Sequence, residues 1–265
     1  MELTAVLLML AAGAFHASWH AIAKVGSSLA ILAGMGAVSS VIAIPFLLFV
    51  PMPVPSVWPI ITISVCLHGA YKLSLSQAYS SADFSNAYPM ARGFVPLFAA
   101  ILSYVWLGQA PSVGQSAAII SISCGVLGLA TQRSSFRTKS ILAAAAAGVT
   151  VAAYSIIDAW GIRASGNWES FTVWLVISDS AAFLAVARII QGPTLWKECA
   201  QSAKPIAVAS LLGLTAFTVF LWALSSNSAA SVIAFRECSV LFGAIIGLAA
   251  LKEAISSSVN KALSD

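Results

Sequence analysis

The chain has 265 residues, 60% of them hydrophobic and only 8% charged, with a mean hydropathy of +0.94. A soluble domain carries about 25% charged residues, so thirteen Lys and Arg plus nine Asp and Glu are too few to cover a folded chain of this size in water. The formal net charge of +4 comes from basic residues scattered between apolar blocks, which excludes a nucleic-acid-binding patch.

The apolar residues fall into blocks of about 20, the length that crosses a hydrocarbon layer about 30 Å thick as a helix. No period-two alternation of a transmembrane barrel is present. Blocks bounded by turn residues predict an all-α polytopic membrane protein of about nine spans: 3–22, 29–50, 57–78, 87–107, 113–131, 140–160, 170–190, 205–225 and 229–251. The first has no basic region before it and no cleavage site before Trp19-His20, so it reads as a retained span. Pro51-Met52-Pro53-Val54-Pro55, Gly108-Gln109-Ala110-Pro111, the polar run Gln132 to Lys139 and Gln191-Gly192-Pro193 punctuate the breaks. Lys24, Arg133, Arg137, Lys139, Arg188, Lys197, Lys204, Lys252 and Lys261 fall on one side and little beyond Arg163 on the other. The positive-inside rule then places the N-terminus outside and the C-terminus inside. Cys66, Cys124, Cys199 and Cys238 are far apart and read as small hydrophobes.

The chain matches itself. At a shift of 144 the segment from Ser81 falls on the segment from Ser225, pairing Ser81 with Ser225, Arg92 with Arg236, Leu97 with Leu241, Phe98 with Phe242, Ala100 with Ala244, Ile101 with Ile245, Leu107 with Leu251 and Ala110 with Ala254. The opening spans match at a shift of 135, which pairs Gly13 with Gly148 and Trp19 with Tyr154. The nine extra residues of the second copy fit the loop from Gln191 to Lys204. Five spans is an odd number, so the second copy enters the membrane inverted, as in secondary transporters. The halves run over 1–133 and 140–265, and a tenth span would begin near residue 257, where the sequence turns polar and ends at Asp265. Either the sequence is truncated or the protein works with nine spans.

A charge at the bilayer centre costs about 2.5–3.5 kcal/mol on insertion scales, so each one within a span needs a partner, a wet cavity or a function. His16, His20 and Lys24 form one stripe of the first span at i, i+4, i+8, and His68 and Lys72 repeat the spacing in the third. Two readings stay open for these stripes: packing histidines with snorkelling lysines, or one wall of a cavity. Arg92 lies between Pro89 and Pro96, and its mate Arg236 is followed by Glu237, with Asp158 and Asp179 as other partners. Tyr88, one turn before Arg92, and the mates Trp19 and Tyr154 are candidate aromatic walls. The candidate substrate site is therefore His16, Trp19, His20, Lys24, His68, Lys72, Tyr88, Arg92, Tyr154, Arg236 and Glu237, around a cavity formed by the first, third, fourth, sixth and ninth spans. Basic groups outnumber acidic ones there, and guanidinium suits carboxylate or phosphate. That points to a small anionic or zwitterionic metabolite, with a histidine in proton coupling.

The segment HASWHAIAK from His16 to Lys24, NAYPMARGFVPLFAAILSYVWLG in the fourth span and IAFRECSVLFGAIIGLAALKE in the ninth resemble the EamA-type members of the drug/metabolite transporter superfamily. His20 replaces an Asn and Gln109 a Glu of that pattern. The resemblance implies ten helices in two inverted halves, a multi-pass place in a bacterial-type inner membrane, transport of a small molecule by alternating access, and no metal, nucleotide or prosthetic group. Self-association into a homodimer is left open. No Gly-x-Ser-x-Gly, HExxH, P-loop or GxGxxG motif points to an enzyme. The rival reading is a membrane sensor or assembly subunit that has the transporter fold without transport.

Overall fold

The computed structural model describes residues 3–81, 84–93, 95–108, 110–131 and 138–249. Every regular element among them is helical: α1 (Leu3–Val25), α2 (Ser28–Ala43), α3 (Trp58–Ser81), α4 (Phe84–Gly93), α5 (Val95–Leu107), α6 (Val113–Thr131), α7 (Thr138–Ser165), α8 (Trp168–Gln191), α9 (Thr194–Gln201), α10 (Ala203–Ser226), α11 (Ala229–Arg236) and α12 (Ser239–Ala249). Helices are what a lipid-embedded chain requires, because no water is present to satisfy backbone amides.

The ends follow local chemistry. At the start of α6, Ser112 and Gln115 form a reciprocal capping box: the Gln115 amide donates to Ser112 Oγ at 3.3 Å and the Ser112 amide to Gln115 Oε1 at 2.8 Å. At the start of α8, the Ser170 amide donates to the Asn167 side chain at 2.8 Å. Gly192 ends α8 with φ 63°, which any side chain would strain. Pro45 turns the end of α2 into a 3-10 stretch, Ile44–Leu48.

Among the described residues, five helical segments are long and apolar enough to cross a membrane: Leu3–Val25, Ser28–Leu48, Leu142–Ser165, Trp168–Gln191 and Ala203–Ser226. The expectation was nine. Helix α3 has 24 residues, about 36 Å at 1.5 Å per residue, but His68, Lys72 and its serines dilute its apolar character. The expected fourth span comprises α4 and α5. The ninth comprises α11 and α12, separated by a turn at Glu237 and Cys238. The expected loop from Gln191 to Lys204 contains α9, which folds because Leu195 is fully buried while Trp196 and Lys197 face outward. Among the residues used to infer orientation, Arg133, Arg137, Lys252 and Lys261 lie outside the described residues, as does Gln109.

Polarity is reversed relative to a soluble protein. Leu48 is 85% and Ile189 83% exposed, whereas Arg92 is 1% and Asp158 0% exposed. Such an apolar exterior is stable only against lipid.

Helices pack in pairs, α3 against α7, α1 against α10 and α2 against α8. A Cβ added at Gly36 in α2 would lie 3.4 Å from Ser180 Cα in α8, so this pair approaches closely. On α12 a Cβ at Gly243 would lie 2.6 Å from two ring atoms of Tyr88, whose hydroxyl donates to Ser239 Oγ at 2.8 Å, one turn earlier on the same helix. The ring cannot retreat without losing that bond. Gly243→Ala is expected to cost about 1–3 kcal/mol, read as a lowered unfolding midpoint in detergent; an unchanged midpoint would show that the ring is free to move.

Candidate functional site

The centre of the bundle contains a cavity of about 130 Å³, enough for several waters at about 30 Å³ each. Its polar wall comes from α1 (His16), α3 (His68, Tyr71, Lys72), α8 (Asp179) and the end of α11 (Arg236). Trp19, Tyr154 and Phe220 give it aromatic faces, and Met35 of α2 and Leu214 of α10 close the apolar side. The expected wall included the fourth span. Instead α2, α8 and α10 line the cavity, while Tyr88 and Arg92 are fully buried behind it. The cause is the Tyr88 ring seated on Gly243, which turns that segment toward α12.

On α1 the indole of Trp19 fixes a hydrogen-bond chain. Its Nε1 can only donate, and it lies 3.2 Å from His16 Nδ1. A neutral His16 therefore carries its proton on Nε2, which faces His20 Nε2 at 3.1 Å. That makes His20 Nε2 the acceptor and its Nδ1 the donor, 2.6 Å from the Tyr79 hydroxyl. The Tyr71 hydroxyl reaches the same His20 Nε2 at 3.0 Å. His20 is thus a buried link between α1 and α3. Lys24 does not reach the cavity: its Nζ donates at 2.7 Å to the Tyr79 carbonyl in the last turn of α3.

On α3 the side chains of Ser64, His68, Tyr71, Lys72 and Tyr79 share one stripe. Ser64 Oγ donates to Asp158 Oδ1 of α7, and His68 Nε2 lies 3.2 Å from Asp158 Oδ2. The His68 ring stacks on Tyr154 with centroids 3.9 Å apart. Lys72 Nζ donates to Asp179 Oδ2 of α8 and sits 4.8 Å from the centre of the Phe183 ring. Asp158 and Asp179 are therefore already engaged, and neither is the partner expected for Arg236.

Arg236 instead donates from Nη2 to Ser155 Oγ at 3.2 Å, with its guanidinium 4.2 Å from the Phe220 ring centre and 5.8 Å from that of Tyr154. Its Nε lies 3.9 Å from Glu237 Oε1 and, among the described residues, makes no hydrogen bond. Arg92 Nη1 donates to that same Glu237 Oε1 at 3.3 Å. Two cations thus share one carboxylate in a buried cluster.

The structure brings His16, Trp19, His68, Lys72, Tyr154 and Arg236 into one cavity, and it sets His20, Lys24, Tyr88, Arg92 and Glu237 around it. Tyr71 and Asp179 also line the cavity. Tyr71 could have been read from its place on the stripe of Ser64, His68 and Lys72. Among the described residues, no group of three or more His, Cys, Asp or Glu is arranged to hold a metal ion.

Residues 3–131 match the family model described as the EamA-like transporter family. No curated protein matches the chain. A solved structure described as "Crystal structure of protein" is similar over 100% of this chain and 94% of its own, with a TM-score of 0.69 and 17% identity, a likeness that shows the fold alone. The match places residues 3–131 in the EamA-like transporter family, membrane transporters of the drug/metabolite type.

Proposed function

We propose that this chain is a secondary transporter that carries a small anionic or zwitterionic metabolite across a bacterial-type inner membrane by alternating access. The observation that carries the reading is Arg236. Its guanidinium lines the central cavity between two aromatic rings, and among the described residues its buried Nε makes no hydrogen bond. A planar donor in that setting suits a carboxylate or phosphate oxygen. The Lys72–Asp179 pair across the cavity supplies both signs of charge, which suits a zwitterion.

Two inverted halves would rock about this cavity. The repeat correspondence sets α1 with α7, α2 with α8 and α3 with α10, and helix neighbours exchange accordingly: α3 packs on α7 as α10 packs on α1, and α2 packs on its own mate α8. Proton movement along the His16–His20–Tyr79 chain, or exchange against a second substrate, would drive the cycle.

The test is counterflow in proteoliposomes with a panel of carboxylates, phosphate esters, zwitterions and lipophilic cations. Accumulation of labelled anions or zwitterions against an unlabelled load is the expected result. Recognition of lipophilic cations alone would overturn the substrate class, and binding without exchange would indicate a sensor.

A further inference from the structure

Arg92 and Arg236 are mates in the internal repeat, but the residue after Arg92 is Gly93 and the residue after Arg236 is Glu237. The two guanidinium groups therefore share a single carboxylate. All three are buried, Arg92 at 1%, Arg236 at 5% and Glu237 at 3% exposure. Each retains an unused polar atom: among the described residues, Arg92 Nη2, Arg236 Nε and Glu237 Oε2 make no hydrogen bond. Glu237 Oε1 is 3.3 Å from Arg92 Nη1 and 3.9 Å from Arg236 Nε. Only Arg236 opens to the cavity.

The carboxylate stands between two guanidinium groups, bonded to Arg92 and about 1 Å beyond hydrogen-bond length from Arg236, so a small shift would exchange its partner. A turn at Glu237 and Cys238 separates α11 from α12 there, so Glu237 sits on a connection and not within a rigid helix. Moving Oε1 onto Arg236 Nε would neutralise the charge that an anionic ligand needs. Keeping it on Arg92 leaves the positive charge of Arg236 uncompensated at the cavity wall.

We infer that Glu237 is an internal competitor for the substrate anion: its carboxylate alternates between Arg92, which leaves the charge of Arg236 to the cavity, and Arg236, which it neutralises. This rests on the reading of Arg236 as the anion site. It assigns Glu237 a positioning role rather than substrate contact. It also accounts for the asymmetry of the repeat, because a second carboxylate at position 93 would neutralise both arginines and leave no cation for a ligand. Binding an anion at Arg236 then pushes Glu237 back to Arg92, coupling occupancy of the cavity to the link between α4 and the turn that joins α11 to α12.

The test is titration of the full-length protein in detergent with acetate and with inorganic phosphate, followed by intrinsic tryptophan fluorescence, since Trp19 lines the cavity. Glu237→Gln keeps an oxygen that accepts from Arg92 but removes the competing charge, and is expected to bind the anions about tenfold more tightly. Arg92→Gln releases Glu237 onto Arg236 and is expected to bind them about tenfold more weakly. The opposite signs separate competition from general damage, and either variant alone is decisive if the other does not fold. Arg236→Gln is expected to abolish binding. If it does so while Glu237→Gln binds no more tightly, or Arg92→Gln no more weakly, than the unaltered protein, the competition is overturned and the anion site stands. If Arg236→Gln binds like the unaltered protein, or the unaltered protein binds neither anion, the anion site itself fails and the inference falls with it.

Discussion

Replacing Asp158 by alanine is expected to destabilise the chain by about 3–5 kcal/mol, the usual cost of removing one partner from a buried charged network. Asp158 is fully buried on α7, and its two carboxylate oxygens receive different donors from α3, the Ser64 hydroxyl and His68 Nε2. Truncation strands both donors and leaves His68 held only by its stack on Tyr154 and its edge contact with Phe217. The damage falls on the α3–α7 pair that positions Tyr71, Lys72 and Tyr154 around the cavity. Asp158→Asn preserves volume and one acceptor oxygen, so its cost is expected to be about 1–2 kcal/mol. Unfolding of both variants in mixed micelles, followed by helical circular dichroism, checks the ranking. Equal losses for Ala and Asn would mean that charge, and not the stranded donors, sets the cost.

The sequence showed same-helix geometry well and cross-helix geometry poorly, for a physical reason. Residues at i, i+4 and i+8 share a helix face whatever the rest of the chain does. The stripe of His16 and His20 was therefore legible, and so was that of His68 and Lys72. Arg92 and Arg236 were legible because a repeat pairs them. Which carboxylate meets which cation depends on how two helices approach, and spacing carries no record of that. Asp158 and Asp179 were candidates for Arg236, yet one is held by Ser64 and His68 and the other by Lys72. Tyr79 escaped notice because its hydroxyl and its carbonyl serve residues 59 and 55 positions away.

The same limit explains the placing of the fourth span. Its Pro-flanked arginine read as a cavity residue, but Gly243 gives Tyr88 a seat on α12, and that seat turns Arg92 toward Glu237. A glycine that admits a ring from another helix looks, in sequence, like any other small residue of an apolar span.

Arg236→Gln is expected to lower substrate exchange by about 100-fold, the loss of about 2.7 kcal/mol that removal of charge-assisted hydrogen bonds to one ligand group brings. The fold should survive. With Arg236 gone, Arg92 and Glu237 remain as a neutral pair, already bonded at 3.3 Å, so no uncompensated charge is left in the interior. The Ser155 hydroxyl keeps its own acceptor, the Val151 carbonyl at 2.6 Å. Stability and transport should thus separate at this position, in contrast to Asp158, where stability is lost first. Arg236→Lys restores the charge but not the planar fork, and it should recover exchange only in part, with the deficit in apparent affinity more than in maximal rate. Counterflow rates at saturating and limiting substrate, set beside unfolding midpoints for the same preparations, test the separation. Full exchange by Arg236→Gln at an unchanged midpoint would move the anion site elsewhere in the cavity, to Lys72, the other cation on its wall.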